Sequence, residues 1–110
     1  MAADDSDDRA PFAIIIMPNA HRQILEVSDW WRRNRQTAPR LFEEELDRAL
    51  LRLAHYPGLG TRSRWPRLPD VRRLLVRRVK YVVFYRLRPK ARRIEVLAVW
   101  YARRGSGPTR

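Results

Sequence analysis

The sequence predicts an α+β domain of two layers, in which a helical hairpin packs on one face of a mainly antiparallel sheet. Residues 71–104 are rich in β-branched and aromatic residues, with one turn-like interruption at 88–91, which is typical of three successive antiparallel strands. Residues 20–55 instead carry apolar side chains at helical spacing. A short apolar run at 12–17 precedes them. The predicted order is therefore β-α-α-β-β-β.

Length and charge restrict the class of protein. The 110 residues suffice for one domain with a modest core. The formal net charge is +12, from 24 Lys and Arg against 12 Asp and Glu, which favours an anionic partner such as a nucleic acid or an acidic protein segment. The alternative is a basic surface without a specific partner.

Residues that bind metals or form disulfides are scarce. The chain has no cysteine, which excludes a disulfide framework and a thiolate metal site. His21 and His55 have no carboxylate at ligand spacing. We therefore predict no metal site and no cofactor. No apolar run approaches the length of about 20 residues that a membrane span needs, and the N-terminus is acidic where a signal peptide is basic. These features predict a cytoplasmic protein without a membrane partner.

The two ends of the chain are predicted to be tails. Residues 1–10 hold four aspartates between positions 4 and 8 and show no periodicity, which predicts a disordered acidic tail. Residues 105–110 are predicted to form a flexible basic tail, and residues 11–104 a single domain. The aspartates of the first tail are either solvated or fold back on the basic surface, where they would weaken the access of other anions.

The first strand and the first helix have readable boundaries. The run 12–17, FAIIIM, ends at Pro18, and its isoleucines favour a strand. Asn19 is the predicted N-cap of a helix that begins at about Ala20. The predicted buried stripe of this helix consists of Ala20, Ile24, Val27 and Trp31.

The second helix has the clearest apolar pattern in the chain. Thr37 is its predicted N-cap, and the helix runs from about Ala38 to His55. Acidic residues near its start and basic residues near its end match the helix dipole. Residues 56–60, YPGLG, end it, and the short connection between the helices predicts an antiparallel hairpin. The predicted buried residues are Phe42, Leu46, Ala49, Leu50 and Leu53.

A loop and the meander are predicted after the helices. Residues 61–70 have no period and are predicted to be a loop, in which Trp65 either plugs the edge of the core or is exposed for stacking. Both faces of the middle strand are apolar, which predicts a central position in the sheet. Strict alternation predicts that one face of the last strand holds Ile94, Val96, Ala98 and Trp100, and the other Glu95, Leu97, Val99 and Tyr101.

Several short motifs occur in an order that resembles a known family. They are the apolar strand before Pro18-Asn19-Ala20, the pair Trp30-Trp31, the helix end at 50–60, Val71 to Leu74, Tyr81 to Arg86, and Val99 to Arg104. Over residues 12–104 their order and spacing resemble the RelE/ParE superfamily of toxins from bacterial type II toxin–antitoxin modules, and most closely its ParE-like branch. The resemblance implies the RelE/ParE-like fold and a cognate antitoxin that is acidic and folds on binding.

The resemblance implies one of two activities. RelE-like toxins cut messenger RNA within the ribosome without a metal, whereas ParE-like toxins bind and poison DNA gyrase. In the ribonuclease case the catalytic positions that match are Arg72 or Arg73, Tyr101 and Arg103, although many relatives have a histidine at the position of Tyr101. In either case the predicted partner- or anion-binding residues are Arg72, Arg73, Arg77, Arg86, Arg103 and Arg104.

The residue types favour binding over RNA cleavage. Attack by a 2′-hydroxyl needs a base, cationic donors and an acid. Arginine supplies the cationic donors because its planar fork matches phosphate oxygens, but it stays protonated. A tyrosine that served as the base would need a pKa far below its ordinary value of about 10. We therefore predict a gyrase-binding toxin ahead of a ribosome-dependent ribonuclease, with a non-catalytic nucleic-acid-binding module as a third class.

Overall fold

Two helices pack against a five-stranded mixed sheet in the structure, a computed structural model that describes residues 10–104 and, of Arg104, the backbone alone. The predicted α+β class is confirmed. The predicted tails fall almost wholly at 1–9 and 105–110, outside the described residues. The elements are β1 Ala13–Ile16, α1 Pro18–Asn34, α2 Leu41–His55, β2 Thr61–Ser63, β3 Val71–Val76, β4 Tyr81–Arg88, β5 Arg93–Tyr101 and a 3-10 turn at Ala102–Arg104.

The strands lie in the order β1-β5-β4-β3-β2. The antiparallel meander β3-β4-β5 is confirmed, and β4 lies at the centre of the sheet. β1 lies at one edge of the sheet, and the helical hairpin connects it to β2 at the other edge. The later strands return to β1, and β5 pairs with it in parallel. The prediction that 61–70 is entirely loop is wrong, since Thr61–Ser63 pairs with Val71–Arg73. Three residues are too few to show a period, so this strand forms only because the edge of β3 is available.

The first helix starts earlier than predicted, and the second helix starts later. α1 begins at Pro18, which needs no acceptor for an amide hydrogen, and no side chain caps this end. Asn19 therefore lies inside the helix, where its Oδ1 accepts a hydrogen bond of 2.6 Å from Arg22 Nη2. α2 begins at Leu41, without a side-chain cap, so Thr37 is not its N-cap. Pro39 disfavours the helical conformation of Ala38, so the helix does not begin at the predicted residue.

The main core lies between the helices and one face of the sheet. The predicted buried positions Ala20, Phe42, Leu46, Ala49 and Leu53 are confirmed. The other predicted core positions, Ile24, Val27, Trp31 and Leu50, are only half-buried. α1 packs mainly on β5 near one side of the sheet, so part of its apolar stripe stays open to solvent.

A β-bulge in β5 overturns the predicted alternation of its side chains. Phe84 pairs with Ala98 and the next residue, Tyr85, pairs with Val96, so Leu97 is an extra residue. An extra residue reverses the alternation beyond it. Val99 therefore joins Val96 in the core under the helices, while Ala98 and Trp100 pack on the opposite face. As a consequence, Tyr101 lies on the helix-facing side beside its partner Tyr81.

The face of the sheet away from the helices has a smaller apolar cluster of its own. Val71, Val82, Phe84 and Ala98 are buried there, and the loop after β2 covers them. The ring of Trp65 lies 5.3 Å from that of Phe84. Of its two predicted roles, the structure thus supports the plug at the edge of the core. Among the described residues, no helix is long and apolar enough to cross a membrane.

Candidate functional site

Arg72 is engaged within the fold. It lies on the helix-facing side of β3, half-buried, opposite Tyr85 of β4 and Arg62 of β2. Its Nη1 donates a hydrogen bond of 2.7 Å to the carbonyl oxygen of Gly60. Part of its guanidinium therefore holds the loop after α2 in place and is not free to bind an incoming anion.

Tyr85 fastens the same loop to the sheet. Its hydroxyl donates to the carbonyl oxygen of Pro57 at 2.8 Å and accepts from the amide of Gly60 at 2.9 Å. The approach needs glycine, because a Cβ on Gly60 would lie 2.6 Å from the carbonyl oxygen of Arg73 and 2.8 Å from the Tyr85 hydroxyl. Burial raises the pKa of Tyr85, although the bond from Gly60 and the charge of Arg72 lower it.

Arg73 and Arg86 belong to the face of the sheet away from the helices. Arg73 pairs with Phe84 in the register and its guanidinium carbon lies 5.7 Å from the Phe84 ring centroid. Arg86 lies two residues along β4 from Phe84 and is half-buried. The carboxylate opposite it, Glu95, is within 4 Å of Arg88 and Arg93. Arg86 itself makes no ion pair with the described residues.

The remaining candidates lie at the other end of the strands. The turn after β3 and the end of β5 meet there, since the amide of Ala102 donates to the carbonyl oxygen of Lys80 at 2.7 Å. Arg77 and Arg103 are exposed at this end and make no hydrogen bond or ion pair with the part of the chain that the structure describes. Arg104 is the last described residue, and its side chain is not described.

An aromatic cleft at this end was missed by the sequence analysis. It has a volume of about 660 Å³ and is lined by Trp30, Trp31, Tyr81 and Tyr101. Trp30 and Tyr101 are 41% and 43% exposed. The guanidinium carbon of Arg35 lies 5.1 Å from the Trp30 ring centroid. The cleft therefore combines stacking surfaces with a cation.

The sequence did contain a signal for this cleft. Neighbouring residues on a helix point about 100° apart, so Trp30 and Trp31 cannot both enter the core. Trp31 is half-buried against the core and its neighbour is exposed. An exposed tryptophan beside arginines is the kind of residue that binding surfaces favour.

Tyr81 and Tyr101 face each other across the floor of the cleft, with ring centroids 5.3 Å apart. Burial raises the pKa of Tyr81, the nearby indole of Trp31 lowers it, and the phenol of Tyr101 raises it. The Trp31 indole nitrogen is buried without hydrogen-bond geometry to a described residue, so it acts on Tyr81 as a nearby dipole. Within residues 10–104, no group of three His, Cys, Asp or Glu side chains is placed to hold a metal ion.

The candidate catalytic residues are dispersed over the sheet. Arg72 pairs with Tyr85 and Tyr101 pairs with Tyr81, four positions away along β4. This offset corresponds to about 13 Å along the strands, and the two intervening strand spacings to about 10 Å across them. Arg73 points to the opposite face from Tyr101. Tyr101 and Arg103 lie two residues apart at one end of the sheet, whereas the neighbours Arg72 and Arg73 point to opposite faces.

Comparison with known proteins decides the family. A family model described as the ParE toxin of the type II toxin–antitoxin system parDE matches residues 14–105. The chain belongs to the ParE toxin family. No curated protein matches the sequence.

Two solved structures have a fold similar to that of this ParE-family chain. The chromosomal ParDE toxin–antitoxin system from P. aeruginosa gives a TM-score of 0.65 at 14% identity, over 84% of this chain and 98% of that chain. The toxin–antitoxin complex RelBE2 from Mycobacterium tuberculosis gives 0.61 at 18% identity, over 87% and 97%. The expected RelE/ParE membership is thus confirmed, while the roles of the individual arginines stay predictions.

The two tyrosines with raised pKa values predict how stability of this ParE-family fold depends on pH. The folded state keeps the phenolic protons of Tyr81 and Tyr85 more tightly than the unfolded state, whose tyrosines ionise near pH 10. The free energy of unfolding should therefore be insensitive to these groups below about pH 10 and fall as pH rises further. Urea unfolding between pH 8 and 11 measures this, and Tyr85→Phe should flatten the decline. Equal slopes in the two proteins would contradict the assignment.

Proposed function

We propose that this ParE-family toxin acts by binding DNA gyrase and inhibiting it, and that a cognate antitoxin neutralises it. The observation that supports binding over cleavage is the dispersal of Arg72, Arg73 and Tyr101. A scissile phosphate would have to contact guanidinium groups and a phenol that lie on different faces or about 13 Å apart along the strands. Inhibition by contact places no such demand on geometry.

The protonation chemistry points the same way. Cleavage by a 2′-hydroxyl needs a group that accepts a proton near neutral pH. Burial raises the pKa of Tyr81 and of Tyr85, so both phenols hold their protons more firmly than a free tyrosine. Arg72 already donates to Gly60. These groups therefore serve the fold better than they would serve acid–base catalysis.

The end of the sheet that carries the aromatic cleft is the surface we assign to gyrase. Arg35 lines the cleft beside the partly exposed Trp30 and Tyr101. Arg103 is exposed two residues after Tyr101 and makes no ion pair with a described carboxylate. Aromatic and arginine side chains supply most of the binding energy in typical interfaces. This surface thus has the composition of an interface hot spot.

A RelE-like, ribosome-dependent ribonuclease is the second candidate, because Tyr101 and Arg103 lie only two residues apart at an exposed end. One cation and one phenol could contact a single phosphate there. This alternative requires Tyr101 to take part in proton transfer, and the gyrase proposal does not.

Tyr101→Phe separates the two candidates. The change keeps the ring that stacks on Tyr81 and removes only the hydroxyl. For a gyrase inhibitor we expect supercoiling inhibition and growth arrest to be nearly unchanged, since one exposed hydrogen bond contributes about 0.5–1.5 kcal/mol. For a ribonuclease we expect cleavage of ribosome-bound messenger RNA to fall by about 10²–10³.

Two variants serve as controls for this experiment. Tyr56→Phe makes the same chemical change at a residue that is 68% exposed and outside the cleft, so it should alter nothing. Arg103→Ala should weaken either activity. Gyrase that remains fully active in the presence of the folded wild-type toxin would refute the proposed target, whatever Tyr101→Phe does.

A further inference from the structure

The aromatic cleft contains charged groups as well as rings. Besides the four aromatic residues, its lining includes Glu26, Arg35, Arg78 and the apolar Val27 and Val79. Sites that bind small organic molecules enclose about 300–1,000 Å³ and combine apolar or aromatic walls with a few polar groups that fix the orientation of the ligand. With about 660 Å³ and this lining, the cleft meets both requirements.

The carboxylate and one guanidinium lie at opposite ends of the cleft. Glu26 is on α1 and Arg35 directly follows that helix, nine residues later, which corresponds to about 13 Å along the helix axis. The two tryptophans of the cleft lie between them. The amide of Val99 donates to Gln23 Oε1 at 2.8 Å, so the next turn of α1, which carries Glu26, runs beside the end of β5.

The charges at the two ends are available to a ligand. Glu26 is exposed and makes no ion pair or hydrogen bond with the side chains that the structure describes. Arg35 makes no ion pair with a described carboxylate, and its guanidinium carbon lies 5.1 Å and 5.8 Å from the two indole ring centroids. A guanidinium that stacks on a ring keeps its in-plane N–H groups free. Arg78 differs, because it is within 3.4 Å of Glu45.

These contacts restrict the class of ligand. A cation is a poor ligand, because Arg35 already occupies the position over the indoles that a ligand cation would take. A hydrocarbon chain would leave the charges at both ends unused. The ligand that matches the cleft has a planar ring for stacking, hydrogen-bond donors at one edge for Glu26, and a negative charge at its other end for Arg35.

The carboxylate of Glu26 selects the ring. A carboxylate only accepts hydrogen bonds, and its two oxygens lie side by side. Guanine is the common nucleobase that presents two neighbouring N–H donors on one edge, N1–H and the 2-amino group, whereas adenine and cytosine place an acceptor beside their amino group. A phosphate on the ribose supplies the negative charge, and the planar fork of an arginine matches phosphate oxygens.

We propose that the aromatic cleft binds a free guanosine nucleotide. The base stacks against Tyr101 and the exposed part of Trp30, which are 43% and 41% accessible. Its N1–H and 2-amino groups donate to Glu26, and Arg35 donates to the phosphate. This inference goes beyond the proposed function and does not depend on gyrase as the target.

Calorimetric titration of the purified toxin with GMP, IMP and guanosine tests the two ends of the site separately. IMP lacks the 2-amino group and guanosine lacks the phosphate, while both keep the stacking ring. We expect the wild-type toxin to bind GMP about tenfold or more tightly than either of the other two ligands, since each of them loses a hydrogen bond to a charged group.

Two variants assign these differences to residues. Glu26→Gln should reduce the preference for GMP over IMP to less than threefold and retain the preference over guanosine. Arg35→Gln should do the reverse. Both side chains are exposed, so these changes leave the core intact. Arg22→Gln is the matched control, because Arg22 is an exposed residue of α1 outside the cleft, and it should bind all three ligands like the wild-type toxin.

A third variant tests the stacking contact. Trp30→Leu should weaken the binding of GMP and IMP alike, by about fivefold or more, and should remove most of the quenching of tryptophan fluorescence by GMP. Trp65→Phe is its control, because Trp65 packs on the opposite face of the sheet, and it should retain the quenching.

Several outcomes would overturn the inference. They are a folded wild-type toxin that does not bind GMP, equal affinities for GMP and IMP, and an unchanged preference for GMP in Glu26→Gln. A guanine-containing oligoribonucleotide that binds at least tenfold more tightly than GMP, in a manner that depends on Glu26, would assign the site to RNA instead. If gyrase is unaffected by the toxin while GMP binding depends on Glu26 and Arg35, the proposed target fails and this inference stands.

Discussion

Leu46→Ala should lower the free energy of unfolding by about 2–5 kcal/mol. Leu46 is 4% exposed and packs with Phe42 of the same helix and Val83 and Val99 of the sheet. Removing its side chain leaves a cavity that the surrounding rigid sheet can fill only in part. The loss combines the transfer free energy of the deleted methyl groups with the missing contacts of the cavity walls.

Two other leucines of α2 calibrate this prediction. Leu50→Ala should cost less than Leu46→Ala, because Leu50 is only half-buried. Leu51→Ala should change stability by no more than about 0.5 kcal/mol, since Leu51 is 62% exposed. Urea denaturation of the three variants gives the ranking. A Leu51→Ala variant as unstable as Leu46→Ala would show that the helix presents a different face to the sheet.

Tyr85→Phe should destabilise the protein through one buried and one partly buried polar group. The substitution retains the ring but leaves the amide of Gly60 and the carbonyl oxygen of Pro57 without the Tyr85 hydroxyl. The buried amide of Gly60 should cost about 1–3 kcal/mol when it loses its partner, and the partly buried carbonyl of Pro57 should cost less because water can reach it. Because both groups belong to the loop after α2, we expect the pairing of β2 with β3 to loosen as well.

Thermal unfolding and hydrogen exchange of the β2 amides measure the two effects of Tyr85→Phe. Tyr56→Phe is the control, because that hydroxyl is on a residue 68% exposed to water and should leave the melting temperature within the error of the measurement. The prediction would be contradicted if the Tyr85→Phe variant had the melting temperature of the wild-type protein and its β2 amides exchanged no faster. In that case water would replace the hydroxyl at no cost in free energy, and the Tyr85 contact would not stabilise the loop.

The same contacts explain why arginines of similar sequence context have different roles. Arg72 and Arg73 are neighbours, yet one donates to Gly60 inside the fold and the other lies over Phe84 on the opposite face. Arg72→Ala should therefore combine a loss of stability with any loss of binding. Arg77 and Arg103, which have no described partner, are better probes of function alone.

The sequence by itself determined those features that depend on local pattern. Helical spacing in 41–55 and the β-branched run of the meander predict their elements because each residue's preference is satisfied within a few positions. The net positive charge follows from the amino-acid composition alone. Short motifs that resemble those of a known family, such as Trp30-Trp31 and residues 99–104, predicted the family. The family-model match over residues 14–105 confirms this prediction.

Only the tertiary structure decided where the candidate residues lie relative to one another. The extra Leu97 turns Tyr101 toward the helices, and no local preference marks the position of a bulge. β2 exists because β3 offers an edge, and Arg72 is engaged because Gly60 comes within 2.7 Å of it. Hydrogen-bond partners twelve or more residues apart leave no periodic signal in the chain, so their geometry appears only when the sheet has formed.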